Sequence, residues 1–178
     1  MKLDYSRLYN GLDTNVVLDL LPHTHGDTYD DGIIELLCVL SKNKNVFEIG
    51  TYRGRTTHNL ALNANKVVTF DLGSNVSNDG YEDYTLGEIY KKHNHKNITQ
   101  LVGDSLEFDF TPYYNQSDVV FLDGGHVYEV VKKDFKTSLK LLKDKGYIII
   151  DDPNWGGVKK AITEFQSIYK IELINNIY

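Results

Sequence analysis

Five short apolar runs alternate with helix-like stretches along the chain, and this alternation restricts the fold more than any other feature of the sequence. The β-branched content and length of the runs predict buried strands at 46–49, 67–71, 98–102, 118–123 and 147–152. Apolar spacing predicts helices at 30–42, 56–63, 85–93, 127–143 and 158–168. Because strands that alternate with helices are joined by right-handed crossovers, they form a mostly parallel sheet with helices on both faces. The sequence therefore predicts a doubly wound, Rossmann-like α/β fold.

The length of the chain, 178 residues, fits a single domain, which we expect to span residues 1–178. Residues 1–29 precede the first predicted helix and show no clear hydrophobic period. They are a candidate N-terminal cap over a pocket. The polar stretches 72–84 and 105–117 are predicted loops that follow strand ends, where ligands bind in α/β folds.

The charge of the chain argues against a nucleic-acid partner. The formal net charge is −6 and the sequence pI is about 5.4, whereas proteins that bind nucleic-acid backbones usually carry a basic stripe. We expect the densest basic stretch, 91–96, to close a solvated helix. No apolar run approaches the roughly 18 residues of a membrane span, and the N-terminus lacks an export signal. We therefore expect a cytoplasmic protein without a membrane partner.

Two further candidates, a cysteine and a pair of histidines, lie away from the strand ends. The single cysteine, Cys38, lies among leucines and valines of a predicted helix, so we expect a core residue and not a nucleophile. His23 and His25 have the spacing of alternate strand positions, but two histidines without a third ligand form a weak metal motif.

A glycine pair lies where the first predicted strand ends and a helix begins. The segment Glu48-Ile49-Gly50-Thr51-Tyr52-Arg53-Gly54 brings its backbone N–H groups to the start of that helix, where they can meet a carboxylate or a ribose. The alternative interpretation is a tight turn without a ligand. The segment lacks the G-x-G-x-x-G spacing of dinucleotide-binding folds, which argues against a pyrophosphate ligand.

An acidic residue closes the second predicted strand. Asp71 follows Gly50 by 21 residues, and Leu72 comes directly after it. In nucleotide-binding α/β folds an acidic side chain near this position binds ribose hydroxyls. The alternative is an aspartate that caps the loop.

The later part of the chain carries the pattern that identifies a family resemblance. The fourth predicted strand leads into Asp123-Gly124-Gly125-His126-Val127-Tyr128, followed by a helix with Asp134, a K-x-G turn, Ile-Ile-Asp-Asp and Trp-Gly-Gly-Val. Together with the G-x-x-x-G segment behind an acidic residue, which is similar to motif I of class I methyltransferases, this pattern resembles the family of macrocin-type O-methyltransferases and cephalosporin-hydroxylase-like proteins. The resemblance covers roughly residues 46–168.

The resemblance implies S-adenosylmethionine as the cofactor, with its ribose on Asp71, its amino-acid end near the glycine pair and its adenine near Asp104 and Ser105. Asp104 and Ser105 are also common turn residues, and this alternative stays open. The implied cofactor residues are Glu48, Gly50, Thr51, Tyr52, Gly54, Asp71, Leu72, Asp104, Ser105 and Asp123.

The resemblance also implies a metal site, and a neighbouring histidine is a candidate acid–base group. Related metal-dependent O-methyltransferases hold a divalent cation on carboxylates after the fourth and fifth strands, which Asp123, Asp151 and Asp152 match. Carboxylate oxygens suit Mg²⁺ or Ca²⁺, although one of the last pair can instead cap the loop before Pro153. His126 is a candidate general base, with a structural role as the alternative, so Asp123 and His126 are the predicted catalytic residues.

Further along the chain, Trp155 is predicted either to line the binding site of the methyl acceptor or to pack in the core. The class I methyltransferase sheet ends in a terminal hairpin, but only the segment from Ile168 to Ile174 can supply one further strand before the Asn175-Asn176 turn. We therefore expect the hairpin to be absent or truncated.

The implied activity is methyl transfer to the hydroxyl of a sugar or other small molecule, with a homo-oligomer left open. Two alternatives remain. One is a catalytically silent domain that only binds S-adenosylmethionine. The other is an NAD-dependent reductase, which the missing third glycine disfavours.

Overall fold

The computed structural model describes residues 9–21, 31–73 and 84–169. Within these ranges the α-helices are α1 (Asp31–Ser41), α2 (Arg55–Ala61), α3 (Tyr128–Leu141) and α4 (Gly156–Gln166). The strands are β1 (Asn45–Ile49), β2 (Lys66–Asp71), β3 (Ile98–Val102), β4 (Ser117–Leu122) and β5 (Leu142–Ile150). Short 3₁₀ helices lie at Tyr90–Lys92 and Thr111–Tyr113.

The five strands form one parallel sheet in the order β3-β2-β1-β4-β5. The chain builds outward from β1 to β3 and then crosses back to place β4 on the other side of β1. This reversal creates a switch point between β1 and β4, where ligands bind in open α/β sheets. The sheet confirms the predicted Rossmann-like fold.

Alternate residues of the central strands pack against helices on opposite faces of the sheet, as the period of two requires. One face buries Val46, Val67, Val119 and Phe121 against α1 and α2, through Leu36, Leu37, Leu40 and Leu60. The other buries Phe47, Ile49, Phe70, Val120 and Leu122 against α3 and α4, through Val131, Phe135, Ala161 and Phe165. The prediction of helices on both faces is confirmed.

Cys38 is a core residue, as predicted. Its side chain is completely buried, and burial raises the pKa of its thiol to about 12.

The predicted helix over 85–93 is wrong. Residues 86–89 form a turn and only Tyr90–Lys92 form a 3₁₀ helix, because Gly87 has a φ of +65° that an α-helix does not allow. A Cβ at Gly87 would lie 2.2 Å from the ring of Tyr90, which is buried beside it. The basic stretch 91–96 therefore closes only this short 3₁₀ helix, with Lys91 and Lys92, and then runs through a turn into β3.

The end of the sheet also differs from the prediction. Strand β5 begins at Leu142 and ends at Ile150, so Asp151 and Asp152 follow the strand and do not belong to it. Of the predicted strand from Ile168 to Ile174, Ile168 lies in a turn after α4, and 170–174 lie outside the described residues. None of the helices in the described ranges has the length and apolar character needed to cross a membrane.

The part of the predicted cap that the structure describes, residues 9–21, packs along α2. Two asparagines, Asn59 on α2 and Asn63 in the turn that follows it, hold it by their amides. Asn63 binds both the N–H and the carbonyl of Val17, at 2.8 Å each, and Asn59 does the same with Asp19, at 2.8 and 3.1 Å. The segment is therefore fixed in register on the helix.

Candidate active site

The loop after β1 touches the loop after β4. Gly50 has a φ of +104°, and a Cβ at this position would lie 1.9 Å from the backbone oxygen of Asp123. Only glycine allows both this backbone conformation and this close approach. The contact brings the glycine loop and Asp123 together at the switch point of the sheet.

The carboxylate of Asp71 organises the same loop. Its Oδ2 accepts hydrogen bonds from the backbone N–H groups of Thr51 and Tyr52, at 2.8 and 2.9 Å, and its Oδ1 accepts one from Gly73, at 2.9 Å. Tyr52 has a φ of +48°, a conformation that is uncommon for bulky side chains and that clusters at functional sites. The half-buried Asp71 thus holds the loop that was predicted to bind the cofactor.

Glu48 lies beneath this loop and is completely buried. Its Oε2 accepts hydrogen bonds from Thr57 and Thr69, at 2.5 and 2.6 Å, and the Thr69 hydroxyl lies 2.5 Å from that of Thr51. Burial, partly opposed by these hydrogen bonds, raises the pKa of Glu48 to about 7. Its Oε1 has no hydrogen-bond partner among the described residues.

The predicted adenine residues adopt a turn. Asp104 is exposed and its Oδ1 accepts a hydrogen bond from the N–H of Leu106, at 2.9 Å. Ser105 is buried. Leu72 is 46% exposed beside Asp71, so an apolar surface is available to a ligand there. Their contact with adenine stays a prediction.

Asp123, His126 and Asp152 form a cluster at the carboxyl ends of β4 and β5. Each offers one ligand atom, and these atoms lie within 4.8 Å of one another. His126 Nε2 is 3.0 Å from Asp152 Oδ2. Asp152 has a φ of +51°, and its backbone N–H donates to Asp151 Oδ1 at 2.9 Å. Asp151 therefore supports the turn beside the cluster, and its atoms are not among the three that converge.

Trp155 does not pack in the core, so that alternative is wrong. Its side chain is 51% exposed, and its ring stacks on His126 with centroids 4.7 Å apart and an interplanar angle of 28°. Trp155 therefore forms an open aromatic surface beside the cluster.

Three residues near the site were missed by the sequence analysis as functional candidates. Tyr84 packs on Tyr52 at 4.4 Å between ring centroids, and burial and the nearby Asp71 raise its pKa to about 12. Asp134 lines the same pocket as His126, and burial, partly opposed by a hydrogen bond from Ser105, raises its pKa to about 6. A Cβ at Gly157 would lie 2.0 Å from the His126 backbone oxygen.

The two weak histidine candidates, His23 and His25, lie outside the described residues.

Structural comparison places the chain among methyltransferase folds. The O-methyltransferase NovP matches with a TM-score of 0.65 and 16% identity over 84% of this chain and 77% of that one. The O-methyltransferase TomG from Streptomyces achromogenes, solved in complex with S-adenosylmethionine, matches with a TM-score of 0.56 and 19% identity over 77% and 69%. These similarities confirm the fold.

A further structural match is partial, and one comparison finds nothing. A phosphoethanolamine N-methyltransferase from Haemonchus contortus matches with a TM-score of 0.47 and 23% identity over 61% of this chain, which spans only 22% of that enzyme. A search of curated protein sequences finds no significant match.

The sequence itself matches a family model. The model, described as a methyltransferase domain, covers residues 47–153, more than half of the chain. This range runs from β1 to the turn after β5 and includes the glycine loop, Asp71 and the Asp123 cluster. The chain belongs to this methyltransferase-domain family.

Proposed function

We propose that the protein uses S-adenosylmethionine to methylate a hydroxyl group of a small molecule. The observation that carries the proposal is the contact between Gly50 and Asp123. It brings the loop for the methyl donor and the acid–base cluster for the acceptor to one crevice, at the switch point between β1 and β4.

The cofactor would lie across the glycine loop. A carboxylate has about four lone-pair sites, and Asp71 uses three of them on the N–H groups of Thr51, Tyr52 and Gly73. One site remains for a ribose hydroxyl. Asp71 would therefore make one bond to the ribose and at the same time fix the loop against which the amino-acid end of the cofactor rests.

The acceptor would lie beside the stacked rings of His126 and Trp155. Transfer is an in-line displacement at the sulfonium methyl, so the protein must align the acceptor oxygen and remove its proton. Asp152, 3.0 Å from His126 Nε2, holds the imidazole and stabilises it once it has accepted that proton. The exposed face of Trp155 offers an apolar surface against which a ring of the acceptor can stack.

Alternatively, the donor set of the cluster fits a divalent cation, which would take His126 as a ligand in place of its role as a base. Asp123, His126 and Asp152 would hold the ion, and their two carboxylates and imidazole match the ligands of Mg²⁺, Mn²⁺ or Zn²⁺ sites. When bound, the ion supplies Lewis acidity that lowers the pKa of an acceptor hydroxyl. The histidine would replace the third carboxylate that the sequence predicted, since Asp151 supports the neighbouring turn.

The test is release of S-adenosylhomocysteine from S-adenosylmethionine over a panel of sugars, phenols and other hydroxylated small molecules. It is run with EDTA and again with Mg²⁺, Mn²⁺ or Ca²⁺ restored. We expect H126Q and D152N each to reduce turnover by about 100-fold or more. The control is D144N, the same Asp-to-Asn change at an exposed position of β5, which should leave turnover unchanged. Full activity in EDTA would remove the metal from the proposal.

A protein that binds S-adenosylhomocysteine but releases none from any acceptor would instead be the catalytically silent binding domain.

A further inference from the structure

A second cluster of titratable side chains lies around helix α2, apart from the residues that the proposed function uses. Asp19 comes from the N-terminal segment, His58 from α2, and His93 and His95 from the turn before β3. The cluster contains three of the six histidines of the chain. Three imidazoles and a carboxylate from three separate segments meet at one place.

The distances within the cluster are short. Ligand atoms of Asp19, His58 and His93 lie within 4.8 Å of one another. His58 Nε2 is 3.2 Å from Asp19 Oδ2, and the ring centroids of His58 and His93 are 4.0 Å apart. His58 Nδ1 is 2.8 Å from His95 Nε2.

From this arrangement we infer a binding site for a transition-metal ion of the Zn²⁺ class, with Asp19, His58 and His93 as its ligands. Two imidazoles and a carboxylate are a donor set that Zn²⁺ accepts, with a fourth position left for water. His95 acts as a positioning residue: its Nε2 accepts a hydrogen bond from the Nδ1–H of His58 and so leaves Nε2 of His58 to the ion.

The ligands of the cluster differ in burial. His58 is only 2% exposed on its side chain, whereas the carboxylate of Asp19 is 44% exposed, which gives an ion a path from solvent.

The scaffold around the cluster holds the ligands in place. Asn59, adjacent to His58 on α2, binds the backbone N–H and carbonyl of Asp19, so the main chain that carries the carboxylate is fixed relative to the imidazole. The N–H of His95 donates to the carbonyl of His93, which fixes the turn between the two histidines. The backbone positions of the ligands are therefore fixed before an ion binds, and only their side chains remain to rotate.

Without a metal ion, the same side chains can form a hydrogen-bond relay, and this alternative makes a different prediction. His95 can donate from Nε2 to His58 Nδ1, and His58 can then donate from Nε2 to Asp19. This relay satisfies three residues and gives no role to His93, although the ring of His93 lies against that of His58. The metal site requires His93, and the relay does not.

The experiment is a titration of the full chain, freed of any polyhistidine tag, with Zn²⁺ in competition with a chromophoric chelator. We expect one tight Zn²⁺ per chain from this cluster, a rise in melting temperature with Zn²⁺, and a Co²⁺ derivative with a visible absorption spectrum. D19N and H93Q should each weaken Zn²⁺ binding by more than about 10-fold, and H95Q by about 10- to 100-fold. D152N, in the other cluster, is the matched control and should leave this affinity unchanged.

Absence of Zn²⁺ binding at micromolar concentration would overturn the inference, as would wild-type affinity in H93Q. Loss of the tight site in D152N would assign the ion to the Asp123 cluster and would equally overturn it. Because Asp19 and His93 are both partly exposed, their conservative variants are expected to fold, and the melting temperature without metal checks this. The result does not depend on methyl transfer, so its failure leaves the proposed function untouched.

Discussion

Replacement of Gly50 by alanine tests the contact on which the crevice depends. The added Cβ would lie 1.9 Å from the backbone oxygen and 2.4 Å from the carbonyl carbon of Asp123, whereas ordinary contact begins near 3.4 Å. The overlap is therefore about 1.5 Å. It can be relieved only if the ends of β1 and β4 separate, which would break the 2.8 Å hydrogen bond from the Asp123 N–H to the Ile49 carbonyl.

The expected loss follows from two terms. A residue other than glycine at a φ of +104° loses about 1–2 kcal/mol, and overpacking of a close contact adds about 1–3 kcal/mol. We expect Gly50→Ala to lower the free energy of unfolding by about 2–5 kcal/mol, a large part of the roughly 5–15 kcal/mol that stabilises a typical domain.

Two other glycines separate these terms. Gly11 has a φ of +78° and open space around it, so Gly11→Ala should show only the conformational term, about 1–2 kcal/mol. Gly156 lies at the start of α4 without a positive φ and with open space, so Gly156→Ala should be neutral or stabilise by up to about 1 kcal/mol. Urea unfolding measures all three. If Gly50→Ala destabilises no more than Gly11→Ala, the close approach of the two loops is refuted.

Three further predictions concern single side chains. Asp71→Asn should weaken binding of S-adenosylhomocysteine by about 10-fold or more in calorimetry, because an amide cannot accept the N–H groups of both Thr51 and Tyr52 and a ribose hydroxyl; unchanged affinity would contradict this. Burial raises the pKa of Glu48 from 4.5 to about 7, so between these values the folded state binds a proton that the unfolded state does not. As the pH rises from about 5 to about 8, the free energy of unfolding of the wild type should therefore fall by about 2–3 kcal/mol relative to that of Glu48→Gln. If urea unfolding gives the same pH dependence for both proteins, the raised pKa of Glu48 is refuted. The Cys38 thiol, completely buried and with its pKa raised to about 12, should react with a thiol reagent only after unfolding, and rapid labelling of the native protein would contradict its place in the core.

The sheet could be predicted because each buried strand is a short β-branched run, and because parallel strands bring their carboxyl ends to one edge. That rule also brought Asp123 and Asp152 together without a structure. The helix predicted over 85–93 failed because apolar spacing does not reveal that Gly87 needs a positive φ to pack against Tyr90. The boundary of β5 was misplaced because its first residues, Leu-Lys-Asp-Lys-Gly, are mostly polar and resemble a turn.

The missed residues share a different cause. Asp134 becomes a functional candidate only because the fold buries it against Ser105, 29 positions earlier in the chain. Asp19, His58 and His93 meet across gaps of 39 and 35 residues, and no local motif marks any of them. His58 and Asp134 lie on helices. The sequence of a helix predicts which face is apolar, but it does not predict which residues its polar side chains will contact.

The central claim is that the crevice between β1 and β4 holds S-adenosylmethionine. Calorimetric titration of the protein with S-adenosylhomocysteine, and separately with NADH, tests it most directly. Because the glycine loop lacks the third glycine of a pyrophosphate site, the account predicts one S-adenosylhomocysteine bound per chain and no heat of binding from NADH. Binding of NADH, or no binding of S-adenosylhomocysteine at millimolar concentration, would contradict it.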